Sequence, residues 1–350
     1  MRKVVTHFLG LCERDMAQNN LANLNDGFHS EPILLLYSEG GSRKMRLYAN
    51  RLGQRRSLFN RDMLPFVLLM PTVFVVLIVM IIPLFYGIFL SLFDYRIGTE
   101  LTMDRFVGLD NFIRLFGDRV FIQSLINTVI FAIFATSGTL VIGTLVAVLL
   151  LRLKPRLSAI LRGICAMPLL VSPIITGLIW RYMYDPTFGF VYWILGLFGI
   201  TIHQFPGITM PSTALMSVIF VHWWQITPFV LLVVSSSLVS IPAERYEAAS
   251  IDGAGSVRQF FNISLPALKD VYFMILIISG VDTVKVFDVI FALTRGGPAN
   301  STISMSVYAH RQAFEMFNMG YAMAISIMVM LTGLVLFGIP FIRYNQKRED

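Results

Sequence analysis

The sequence predicts an all-α membrane protein with six transmembrane helices. Three observations carry this: too little charge for a soluble surface, apolar runs of spanning length, and basic residues gathered on alternate connections. Of 350 residues, 56% are hydrophobic and 14% charged. An ordinary soluble domain is about 45–50% apolar and about 25% charged. The mean hydropathy of +0.70 agrees. The composition argues against a soluble enzyme, a disordered chain and a fibrous protein.

A membrane crossing needs about 20 mostly apolar residues, because a helix rises about 1.5 Å per residue through a hydrocarbon core of about 30 Å. Met63–Phe93 is an uncharged run of 31 residues and predicts a span over about 64–93. Val120–Leu151, uncharged over 32, predicts one over 122–151. Gly163–Trp180, extended backwards through Leu157–Leu161, predicts one over 160–180. Pro168 and Pro173 in this third span free backbone carbonyls, which protein or a water-filled path must satisfy. Pro186–Ala243 is uncharged over 58 residues, and its back half predicts a span over 213–239. Its front half, Phe188–Ile200, carries Gly189, Gly196 and Gly199. Roughly 13 residues reach only about 20 Å, so this piece reads as re-entrant or interfacial. The fifth span covers 271–293 and the sixth 319–342. Thr136, Gly138, Gly143 and Ala147 in the second span allow close helix approach.

Charge gives the threading. With residues 1–62, 152–162, 240–270 and 343–350 on the inside, those segments hold 20 of the 28 basic residues and a net charge of +8. The remainder carries −1. Basic loops resist translocation, so both termini are expected in the cytoplasm. The overall +7 therefore records topology and does not call for nucleic acid. Residues 1–62 read as a cytoplasmic, partly disordered extension, 63–343 as the membrane domain and 344–350 as a cytoplasmic tail. From Arg43 to Arg61 there are seven basic residues and no acid, an anchor beside anionic lipid. Met45 is a candidate natural start, which an intact mass matching residues 1–350 would exclude. Cys12 and Cys165 suit neither a disulfide framework nor a zinc site, and His203, His222 and His310 are too scattered for a metal. Trp180, Trp193, Trp223 and Trp224 suit an interfacial belt or solute stacking, the belt fitting better.

The connection 240–270 is too regular to be a plain linker. Pro242 suits a first helical position, Glu244 and Glu247 the early turns, and Gly253 and Gly255 the helix end. A second short helix follows with Phe260, Phe261 and Ile263 on its apolar face. This makes a helix–turn–helix with a small, flat patch at Ala248 and Ala249, beside the carboxylate of Glu247. The order Glu247-Ala248-Ala249, Asp252-Gly253, then Ile263-Ser264-Leu265-Pro266 resembles the EAA motif of binding-protein-dependent ABC importers. Phe106–Phe112, Trp180–Gly189, Thr227-Pro228-Phe229, Lys285–Asp288 and Leu293–Pro298 are similar to the first permease subunit of carbohydrate-type importers. That group contains the maltose, glycerol-3-phosphate and polyol permeases. The resemblance spans about 63–343, and Tyr192 departs from it where relatives often have Asn.

The resemblance implies the type I ABC importer permease fold in a bacterial inner membrane. It implies a second homologous permease, two ATPase subunits and a soluble solute-binding protein as partners. Pro242–Gly255 would then be the coupling helix, with Glu247 meeting a basic residue of an ATPase. The chain would import a sugar, polyol or related small solute. It would bind no cofactor and would not itself hydrolyse ATP, since it carries no Gly-x-x-x-x-Gly-Lys-[Ser/Thr] loop. Gly296-Gly297-Pro298 reads as a turn on the outer side.

Asp282, Lys285 and Asp288 lie at spacings of three residues, so Lys285 can pair with either acid along a helix. Charges at such depth face a bundle interior or a wet cavity. They either line the solute path or pin the outer end of the helix. The rival function is an ion-coupled secondary transporter using these three charges. An integral membrane enzyme ranks last, because no cluster of catalytic groups stands out.

Overall fold

The computed structural model describes residues 64–349, and these form a series of helices joined by short connections. The expectations for residues 1–62, including the basic stretch 43–61 and Met45, lie outside the described residues. The chain divides into two units, Met1–Phe74 and Val75–Asp350. In the first, the described residues are helical from Leu64 onward.

The helices in order are α1 (Leu64–Val76), α2 (Ile82–Ser91), α3 (Asp110–Gly117), α4 (Arg119–Leu151), α5 (Pro155–Ala166) and α6 (Pro173–Met183). Then come α7 (Phe190–Leu197), α8 (Pro211–Val239), α9 (Ala243–Ile251), α10 (Ser256–Gln259) and α11 (Leu265–Ala267). The chain closes with α12 (Lys269–Val284), α13 (Asp288–Leu293), α14 (Met305–His310), α15 (Met319–Gly333) and α16 (Ile339–Glu349). Among the described residues, four stretches are long and apolar enough to cross a membrane: Leu68–Ser91, Arg119–Leu151, Pro211–Val239 and Met319–Tyr344. They coincide with the first, second, fourth and sixth expected spans. The Phe188–Ile200 stretch contains α7, whose eight residues are too short to cross.

The third expected span, 160–180, is not a straight helix. Pro155–Leu170 and Pro173–Met183 meet at 98°. The cause is in the sequence: Pro168 and Pro173 cannot donate the amide bonds that would carry a helix across, and Val171 and Ser172 are extended. The Val171 carbonyl freed by the break accepts a bond from Gln225 Nε2 of α8 at 3.0 Å. The fifth expected span, 271–293, also needs correction. Its helix ends at Val284, Lys285 caps it, and α13 begins at Asp288. The Val286 carbonyl, released there, accepts from Ser304 Oγ at 3.0 Å. Both interruptions follow one rule: a polar backbone group inside an apolar bundle is tolerated only when a neighbour satisfies it.

Glycine allows α4 and α8 to pack along their length. A Cβ on Gly143 would sit 2.6 Å from Val230 Cβ, and one on Gly138 would sit 2.2 Å from the Trp223 ring. Trp223 Nε1 donates to the Phe134 carbonyl from that notch. Trp180 is likewise no belt residue; it is buried, edge-on to Phe220 and Trp224. Around the α4–α8 pair the core forms in tiers. Phe121, Phe131, Ile219, Ile290 and Met305 fill the end holding the N-terminus of α4. Ala147, Leu150, Leu238, Leu268 and Ile275 fill the end holding residues 240–270. Outward, Val141, Leu145 and Leu149 of α4 stay exposed, an apolar face suited to lipid or a partner and not to water.

Candidate functional site

The loop between α8 and α12 is built as expected at its chemical centre. Pro242 is extended and stands just before α9, so the first helical residue is Ala243. Glu244 lies in the first turn, where the helix dipole favours an anion. The helix stops in a Schellman turn: Gly253 N–H donates to the Ser250 carbonyl at 3.1 Å and Ala254 N–H to the Ala249 carbonyl at 2.9 Å. Gly253 supplies the left-handed φ of +76° that this turn requires.

The second half turns back on the first. Ser256–Gln259 continues through a π-helical turn, Phe260–Ser264, into α11. Gln259 Nε2 donates to Ser250 Oγ at 2.8 Å and to the Ala254 carbonyl at 3.0 Å. The hydroxyls of Tyr246 and Ser264 share a hydrogen bond of 2.9 Å. These contacts use up the inner face of α9. Its other face presents Glu247, Ala248 and Ile251 to the outside, and Ile251 is 87% exposed. No cation pairs with Glu247 among the described residues. Asp252 caps α9 and is exposed; Ile263 is half-buried, and Leu265 and Pro266 lie at the surface.

The loop is mechanically joined to the spans. Leu268, 1% exposed, is set in one apolar cluster with Leu150 of α4, Leu238 of α8 and Ile275 of α12. The segment Ser256–Ala267 meets α12 at 64°. The cluster seats the start of α12, a helix of 16 residues, about 24 Å long.

At the far end of α12 stands the charged group. Lys285 Nζ lies 2.9 Å from Asp282 Oδ1, with side chains 63% and 60% exposed. Asp288 is exposed, but it opens α13 and is not one turn further along the same helix. So the structure joins Asp282 and Lys285 and places Asp288 across a helix break. The loop that carries the Glu-Ala-Ala group joins one end of α12, and the ion pair stands at the other.

A second polar cluster has no counterpart in the sequence reading. Asp118 is the N-cap of α4 and accepts from the Val120 amide at 2.8 Å. It also accepts from Tyr321 OH at 2.9 Å and from Tyr308 OH, which in turn accepts from Gln312 Nε2 at 2.9 Å. Arg114 lies over the Tyr321 ring at 5.5 Å. One carboxylate thus ties α4 to α14 and α15. The available signal was an Asp directly before a long apolar helix, a standard N-cap. Burial opposes the charge on Asp118, but the bonds from Tyr308, Tyr321 and the two amides outweigh it and hold its pKa below the usual value. A carboxylate depressed on folding adds stability that is present above its unfolded pKa of about 3.9 and is lost as pH falls through the folded value. Asp118→Ala is therefore expected to lower the thermal midpoint of the purified chain at pH 7 and to flatten the acid limb of its pH–stability curve. An unchanged midpoint and acid limb would contradict this role.

The family described as "Binding-protein-dependent transport system inner membrane component" matches residues 139–342. The trehalose/maltose transport system permease protein MalF of Thermococcus litoralis is 34% identical over 82% of this chain and 95% of its own length. The sn-glycerol-3-phosphate transport system permease protein UgpA of Escherichia coli O157:H7 is 30% identical over 85% of this chain and 99% of its own. Among solved structures, a chain of a bacterial alginate ABC transporter, crystallised with an alginate pentasaccharide-bound periplasmic protein, superposes with a TM-score of 0.69. It is 22% identical, and the match covers 80% of this chain and 93% of that one, a likeness of fold. With its apolar helices, its bent pair Pro155–Leu170 and Pro173–Met183 and its loop at 240–270, the chain belongs to the family of binding-protein-dependent transport system inner membrane components.

Proposed function

We propose that this chain is the membrane subunit of an ATP-driven importer for a sugar, polyol or related small solute. The names of its relatives support a carbohydrate-type solute. The observation that carries the mechanism is the two-faced helix α9. One face is clamped by Tyr246 and Gln259, and the other is free at Glu247, Ala248 and Ile251. A free carboxylate beside an alanine allows close approach by a partner with a basic cleft. In this reading the partner is one of two ATPase subunits. A second, similar permease completes the path, and a soluble binding protein delivers solute from outside. The charge asymmetry supports cytoplasmic termini and a cytoplasmic loop 240–270.

The mechanism follows from the joints described above. Closure of the ATPase pair moves α9. Leu268 and its cluster pass the movement to α12, and α12 moves the ion pair Asp282–Lys285 at its other end. Charges exposed within a bundle of spans cannot face hydrocarbon cheaply, so this end of α12 faces a wet path or a partner. There Asp282 offers acceptors and Lys285 a donor to a hydroxyl-rich solute. Energy comes from ATP bound by the partner, and this chain needs no cofactor of its own.

Reconstitution tests the proposal. The chain with its partner permease, ATPase and binding protein should accumulate solute only with ATP. Accumulation by the chain alone, driven by an ion gradient, would overturn the proposal in favour of a secondary transporter. Asp282→Asn should lower uptake by about tenfold, the effect of one lost charge-assisted hydrogen bond. Unchanged uptake with normal assembly would remove Asp282 from the path.

A further inference from the structure

Where α4 meets the second half of the 240–270 loop there are two adjoining hollows that the transport reading does not use. One, of about 620 Å³, is apolar and runs between Val141, Leu145 and Val148 of α4 and Val257, Phe261 and Leu265 of the loop. The other, of about 270 Å³, is more polar and is lined by Tyr246, Ser256, Gln259 and Ser264. Arg152, Val148, Ser256 and Phe260 border both. Neither is lined by an acid, and no acid pairs with Arg152 among the described residues. Thr144, 8% exposed, and Tyr272 also border the apolar hollow.

An apolar trough that opens into a polar pocket with an unpaired guanidinium at the junction fits an amphiphile carrying an anionic headgroup. Arg152 begins the connection to α5, in which Lys154, Arg156 and Arg162 follow and no acid appears. The trough is open to the side, along the exposed apolar face of Val141 and Leu145. A water-soluble solute has no use for that wall, whereas a bilayer lipid reaches it without leaving the membrane. Basic pockets between spans on the cytoplasmic side are the places where anionic headgroups settle. We propose that these hollows together bind one anionic phospholipid, with the phosphate at Arg152 and an acyl chain along α4. The site touches Tyr246, Gln259 and Ser264, the residues that clamp α9. A bound phospholipid would therefore stiffen the loop that the transport mechanism moves. Naming the leaflet rests on the orientation proposed above; the binding itself does not.

The test is native mass spectrometry of the full chain in detergent, with dioleoyl phosphatidylglycerol or dioleoyl phosphatidylcholine supplied at equal concentration. The chain should retain the glycerol lipid over the choline lipid by about fivefold, the factor that one basic residue contributes near an anionic surface. Arg152→Ala should abolish the preference. Leu145→Trp, which fills the trough, should reduce retention of both lipids. Arg156→Ala, whose residue borders neither hollow, should behave as the unaltered chain. Equal retention of the two lipids, or equal loss from Arg156→Ala and Arg152→Ala, would overturn the proposal. So would release of the phospholipid when the second permease assembles, which would give the trough to that subunit. If Leu145→Trp does not fold, the Arg152→Ala and Arg156→Ala pair still decides. None of these readings depends on ATP or on transport, so failure here leaves the importer proposal standing, and failure of the uptake assay leaves this one.

Discussion

Glu247→Lys is expected to abolish ATP-driven uptake, by at least about 100-fold, while the chain still inserts and accumulates in the membrane. The carboxylate is exposed and unpaired among the described residues, so reversing its charge costs the fold little. Against a basic partner cleft the reversal places like charges together, which costs several kcal/mol in an interface. Gly253→Asp is expected to abolish uptake with it. A side chain there meets nothing within 4 Å, so its damage comes through the backbone. An aspartate held at the left-handed φ of +76° strains the Schellman turn and hence the end of α9. Uptake assays with membrane levels measured in parallel check both. Normal uptake from both variants would remove the coupling role from this loop.

Gly320→Ala is expected to lose most of the folded protein, whatever the partners. A Cβ at this position would lie 2.0 Å from the Phe93 carbonyl oxygen and 3.1 Å from the Tyr95 amide. Those are backbone atoms of the turn after α2, and Gly320 N–H donates to the Tyr95 carbonyl at 2.9 Å. No flexible side chain can yield, so the start of α15 must move away from the end of α2. Overpacking costs about 1–3 kcal/mol where neighbours can adjust, and here they cannot do so cheaply. Gly117→Ala is the control, because nothing lies within 4 Å of its added Cβ. Membrane abundance and the thermal midpoint should fall for Gly320→Ala and stay level for Gly117→Ala. Equal behaviour of the two would refute the packing argument.

Much of this protein is legible in its sequence, and what is not has definable causes. Four spans were readable because uncharged length alone sets them. The 240–270 loop was readable because its proline, acids and glycines each have a local backbone preference that the tertiary structure does not override. The third and fifth expected spans are each broken. Pro168 and Pro173 signal freed carbonyls but not the 98° angle, and the break after Val284 is sustained by Ser304, 18 residues from the Val286 carbonyl that it bonds. Asp288 was accordingly placed on the wrong helix. Asp118, Gln225 and Gln259 escaped notice for a related reason. Each is a single polar residue whose partners, Tyr308 and Tyr321, Val171, and Ser250 and Ala254, are fixed only when helices pack. Trp180 was expected at an interface because its amphipathic ring suits one, and the bundle instead buries it against Phe220 and Trp224.

The common thread is a rod, α12, with the 240–270 loop at one end and a charged pair at the other. The most direct measurement is site-specific crosslinking from the loop in membranes that contain the assembled transporter. Ala248→Cys lies on the open face of α9, and Ser264→Cys on the buried side behind Tyr246. The chain with only its native Cys12 and Cys165 sets the background. A benzophenone maleimide, bound to the introduced thiol and inserted by illumination into any neighbouring C–H bond, should join position 248 to the ATPase subunit, and position 264 should remain at background. Absence of an ATPase adduct from 248, or equal adducts from 248 and 264, would contradict the account.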